Sequence, residues 1–90
     1  MNQPRFLQAL QESGFPHPVE VQQPPNGQLP NHTHAFAVQA LILEGYIEIE
    51  INGIKTRYNE SDVFQLALEE LHAERYGLDG VKYLASRKMT

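Results

Sequence analysis

The chain has 90 residues, a formal net charge of -4, no cysteine and an apolar share of 41%. A chain of this length makes one small domain that buries only about 60% of its unfolded surface, and its apolar content excludes a disordered polymer. The acidic balance, with no Lys/Arg cluster, speaks against nucleic-acid binding, and the missing cysteine excludes disulfides, thiol chemistry and cysteine-type zinc sites.

The first residues, Met1 to Arg5, lead into no long apolar run. Neither a signal peptide nor a membrane span is expected, and the cytoplasm is the expected compartment. Asn31-His32-Thr33 fits the N-glycosylation pattern only by chance on that reading. Pro4 to Ser13 is predicted as a helix: Pro4 suits a first turn, Phe6, Leu7 and Leu10 form a stripe, and Gly14 and Pro16 end it. Val19 to Gln22 alternates and suits a strand. Gln23 to Pro30, with three prolines and a glycine, is expected to be a loop. His17, between two prolines, is expected at the surface.

His32 to Glu44 reads as one long strand. Residues i and i+2 of a strand share a face, so His32 and His34 present two imidazoles together, in phase with Phe36, Val38 and Ala40. The opposite face is apolar too, and must be covered by the helix or by a second copy of the chain, hence an expected homodimer. Gly45 is expected to break the run. Tyr46 to Asn52 then alternates, with Ile47, Ile49 and Ile51 on one side. Asn52-Gly53 is a strong hairpin signal, which sets Ile51 opposite Ile54, Glu50 opposite Lys55, Glu48 opposite Arg57 and Ile47 opposite Tyr58. Val63 to Leu68 is a further strand. Leu71 to Tyr76 places His72, Glu74 and Tyr76 on one face. A turn at Gly77 to Gly80, a last strand Val81 to Ala85 and a frayed tail Ser86 to Thr90 complete the chain. The expected fold is all-β: one domain, residues 1–90, with a helix at about 4–13 and a small antiparallel β-barrel or jelly roll at about 18–88.

The pair His32-Thr33-His34, the strand after it and Gly45 resemble the first cupin motif, with Gly27 one residue off the place of its leading glycine. The second cupin motif is matched in spacing by Ser61, Ala67, Glu69, His72 and Tyr76, which stand where that motif has glycine, proline, glycine, histidine and asparagine. The resemblance spans about Gly27 to Ala85. It implies a conical β-barrel holding a divalent metal through the histidine pair, a glutamate and the distal histidine. Three of these carry over, to His32, His34 and His72. The glutamate falls on Val38 by one count and on Gln39 by the other, and strand phase puts Val38 with the histidines. Gln39 stays a weak candidate ligand. Glu74, in phase with His72, is the candidate fourth ligand or catalytic acid/base.

A three-imidazole site suits Zn, Ni, Fe, Mn or Cu and leaves open positions. The expected pocket is lined by Phe36, Val38, Ala40, Ile47, Ile49 and Tyr76, an apolar wall with few polar groups that suits a small organic ligand. Three functions fit. One is a metal-dependent oxygenase, isomerase or lyase acting on a small molecule. The second is a non-catalytic small-molecule-binding or sensor barrel, with or without metal. The third is a purely structural, metal-free barrel in a homodimer.

Overall fold

Two strands of unusual length, β3 (Ala37–Ile51) and β6 (His72–Lys88), pair antiparallel and form the spine of the molecule. The computed structural model describes residues 1–89, and the elements around this spine are α1 (Gln3–Glu12), β1 (Val19–Gln23), β2 (Gln28–His32), β4 (Ile54–Tyr58) and β5 (Val63–Leu66). The first half of β3 and the second half of β6 are flanked by β5 and β1. The other halves are flanked by β4 and β2. Both four-stranded halves are antiparallel and share one apolar core, to which Ile42, Phe64, Val81 and Tyr83 come from one half and Ile47 and Tyr76 from the other.

The expected break at Gly45 and the expected turn at Gly77 to Gly80 are both corrected. Each of these segments lies inside a continuous strand. They oppose one another: Gly45 pairs with Val81 and Ile47 with Tyr76, so four residues of β6 bulge out against one of β3. A bulge reverses which face alternate side chains take. Inward residues are accordingly even before the bulge in β3 (Val38, Ala40, Ile42) and odd after it (Ile47, Ile49). In β6 they change from His72 and Tyr76 to Val81, Tyr83 and Ala85. The backbone needs glycine there, since Gly45 and Gly80 have φ of +74° and +77° and a Cβ on Gly45 would strike the Gly80 carbonyl oxygen. Punctuation in the sequence was therefore a bend, not an end.

The hairpin between β3 and β4 has the expected register, from Ile51 opposite Ile54 to Ile47 opposite Tyr58. Asn52 and Gly53, at φ of 52° and 78°, supply the left-handed pair that such a turn needs. Glu48 does face Arg57, but the guanidinium sits over the Tyr46 ring, 3.9 Å from its centroid.

Helix α1 begins where the Asn2 side chain accepts from the Arg5 N–H at 2.9 Å, with proline in its first turn. Phe6 and Leu10 are buried against Leu41 and Leu84 on the outer face of the first half-barrel. Burial of each is worth roughly 1.5–3 kcal/mol. The apolar surface that suggested a second subunit is thus covered by the chain's own helix. Two further expectations are corrected. Part of the proline-rich loop is β2, held to β6 through Gln28 and Leu29. The tail is ordered strand as far as Lys88, with Ser86 buried and its Oγ donating to the Pro16 carbonyl at 2.5 Å. Thr90 lies outside the described residues.

Candidate metal centre

His32 and His34 do not share one strand, as the sequence suggested. His32 ends β2 and His34 lies in the connection before β3. What brings them together is pairing with β6, where His32 is directly opposite His72. The ladder slips between Leu29 and His32, a bulge placed where Pro30 has no N–H to give. The Pro30 carbonyl it frees accepts from His32 Nδ1 at 2.8 Å. His34 is fixed through its backbone, whose carbonyl accepts from the Glu69 N–H at 2.9 Å. The three imidazole centroids are 4.3, 4.8 and 5.2 Å apart.

Glu74 completes the group. With His32, His34 and His72 it offers four ligand atoms that all lie within 4.8 Å of one another. Its Oε2 is 3.0 Å from His72 Nε2 and 3.3 Å from His32 Nε2, while its Oε1 accepts from the Tyr76 hydroxyl at 3.0 Å. The His72 side chain is 1% exposed and that of Glu74 8%, so this carboxylate is held away from water among imidazoles. His72 Nδ1 donates to the Glu70 carbonyl at 2.9 Å. In both His32 and His72 a carbonyl therefore takes the Nδ1 proton, which leaves each Nε2 aimed at the carboxylate, that of His72 within hydrogen-bond distance at 3.0 Å.

His32 Nε2, by contrast, is buried and has no hydrogen-bond partner, a donor atom left free for a cation. Its 3.3 Å approach to Glu74 is off the line a hydrogen bond requires. Two atoms bound to one transition-metal ion at about 2.1 Å lie at most about 4.2 Å apart, so a set already within 4.8 Å needs to contract only slightly. The donors present thus fit a divalent metal. His34 is held below the usual histidine range, first by burial, then by the charges of His32 and His72, against the opposing pull of Glu74. It is neutral, and able to coordinate, at neutral pH. The Tyr76 phenol is pushed far up by burial, by the Glu74 charge and by their hydrogen bond, so it remains a donor.

The other sequence candidates separate clearly. Phe36 and Val38 line a small cavity beside the histidines, about 120 Å³ in volume. Ala40, Ile47, Ile49 and Tyr76 are packed into the core and do not face that cavity. Gln39 pairs with Gln65 and Ser86 and lines a groove with Phe15 on the outer side, so the structure takes it away from the site. His17 is exposed. Sequence reasoning missed Tyr83 and Arg87, which also wall the cavity. The alternation of Val81, Tyr83 and Ala85 would have reached Arg87 had the tail not been set aside.

No family model and no curated protein matches the chain. Solved structures do. The cupin domain of Cnp3 from Schizosaccharomyces pombe aligns with a TM-score of 0.70 at 19% identity, over 79% of this chain and 53% of that one. The fold is a cupin. A cupin superfamily protein from Desulfitobacterium hafniense gives 0.68 at 18% identity, over 79% and 64% of the two chains. The DMSP lyase DddQ from Ruegeria pomeroyi gives 0.68 at 23% identity, over 77% and 36%. The matched region is thus about one third to two thirds of the length of these structures. In cupin terms the second motif is better kept than its letters suggest. Ser61 and Glu69, at its two glycine positions, have φ of 74° and 60°. The left-handed backbone is retained although glycine is not. Val38, at the first motif's glutamate position, is buried and apolar.

Proposed function

We propose that this cupin barrel binds one divalent transition metal through His32, His34, His72 and Glu74, and presents it to a small organic ligand. Glu74 takes the part of the acidic ligand that Val38 cannot play. The observation that supports this most directly is the convergence of three imidazoles and one carboxylate, with the Nε2 of His32 unpartnered. Three nitrogens and one oxygen suit Zn, Ni, Fe, Mn or Cu. Four protein ligands leave room for exogenous ones on an octahedral ion. Such an ion, when bound, supplies Lewis acidity or an activated water.

The side chains around it divide the work. The Pro30 and Glu70 carbonyls orient His32 and His72, and Tyr76 orients Glu74, as outer partners of metal ligands do. Phe36, Phe64 and Leu66 keep the cavity apolar. With one oxygen on Tyr76 and the other toward the imidazoles, Glu74 is better placed as a ligand than as a proton carrier. The neighbours' names cover both a lyase and a domain named only as a cupin, and a fold hosts many functions. Binding is therefore the reading that this site supports. Elemental analysis of the purified protein is expected to give close to one transition-metal ion per chain. His34→Ala and His72→Ala should lose it with the strand signal in circular dichroism unchanged. Metal-free wild-type protein that takes up none of the five ions would overturn the proposal in favour of a metal-free binding barrel.

A further inference from the structure

Arg87 has the inward phase of β6, following Val81, Tyr83 and Ala85. It lies directly across the ladder from Val38. Its guanidinium carbon is 5.1 Å from the centroid of Phe36, whose ring also stacks on His34 at 4.9 Å and 15°. Among the described residues that wall the cavity, Arg87 is the one arginine or lysine. Among the described residues no carboxylate pairs with it. Because position 38 is valine, the nearest cross-strand site offers no acid. The charge count points the same way: a divalent ion with one carboxylate ligand is left at about +1, and Arg87 adds another positive charge at the mouth.

We infer that the ligand of this site is a small organic anion, its carboxylate gripped by Arg87 and a second oxygen turned toward the metal. This rests on the metal reading above. Guanidinium is the side chain suited to a carboxylate, through two parallel N–H donors. Its contact with Phe36 holds it at the exposed rim of the cavity. The cavity, about 120 Å³ and open to solvent on one side, suits a compact acid of a few carbon atoms.

Lactate and its neutral isostere lactamide distinguish charge from shape. Protein loaded with Co²⁺ is titrated with each, following the cobalt absorption bands and, separately, heat of binding. Lactate should bind wild type at least tenfold more tightly than lactamide. Arg87→Met, which keeps the stem over Phe36, should bring lactate down to the lactamide level with cobalt content unchanged, and Arg87→Lys should fall between. Equal lactate affinity in wild type and Arg87→Met, both holding cobalt, would overturn the inference while leaving the metal site standing. Lactate preference by calorimetry that Arg87→Met abolishes, in wild-type protein that takes up neither cobalt nor any of the five ions named above, would retain the anion site and sink the metal. No preference for lactate over lactamide overturns the inference in either case.

Discussion

At the residue scale, the site depends on hydrogen bonds that a list of ligands would omit. Tyr76 is the clearest case. Its hydroxyl occupies one oxygen of Glu74 and so aims the other at His72 and His32. Tyr76→Phe is expected to lower metal affinity by about 10–100-fold, the range for loss of an outer partner, as read by competition with a chelator. Leaving that oxygen unpaired should also destabilise the metal-free protein by about 1–3 kcal/mol, as read by urea unfolding. His34 adds a pH dependence. Its folded pKa lies below 6.5, so between that value and 6.5 the unfolded state binds more protons. The stability of metal-free protein should be full above about pH 6.5 and fall as pH drops through it toward the folded value. Urea midpoints from pH 7.5 to 5 measure this, and His34→Gln should flatten the slope.

At the element scale, β3 and β6 are each one strand because a matched bulge lets them bend together. The glycines in it are not equivalent to the glycine of the hairpin. Gly45 and Gly53 both have positive φ, but a Cβ on Gly45 meets the Gly80 carbonyl while one on Gly53 meets nothing within 4 Å. Gly53→Ala should cost only the left-handed penalty of about 1–2 kcal/mol. Gly45→Ala should add an overpacking cost of about 1–3 kcal/mol and disturb the change of face on which Ile47 and Ile49 depend. Denaturant unfolding of the two variants gives the comparison, and equal losses would show that the crossing of the strands is not tight. The hairpin was legible because turn chemistry and side-chain alternation are both local. The bulge was not, because glycine marks a stop and a bend with the same letter.

At the scale of the whole molecule, α1 closes the outer face of one half-barrel and makes a second subunit unnecessary for that purpose. Leu10, buried against this face, tests the point. Leu10→Ala should cost about 2–5 kcal/mol, and Leu10→Asp should uncover Leu41 and Leu84 and give concentration-dependent association by light scattering. A monodisperse, fully stable Leu10→Asp protein would show that the helix does not protect the face. Among the described residues no helix is long and apolar enough to cross a membrane.

The sequence by itself determined what local rules can reach. Alternation at His72, Glu74 and Tyr76 put them on one face, Asn52-Gly53 set a register, and motif spacing picked out His32, His34 and His72. Tertiary structure alone decided how these meet. His32 and His34 share a site not because they share a strand but because β2 pairs with β6 and slips at Pro30. Glu74 supplies the carboxylate because β6 holds it opposite Leu29, in phase with His72, where its Oε2 reaches both His72 and His32. Arg87 reaches the cavity because β6 runs on past the point where its letters look like a tail. Phase along one strand is a property of neighbours in sequence, whereas pairing, bulges and burial depend on residues brought from elsewhere in the chain, and no single window of the sequence contains both partners.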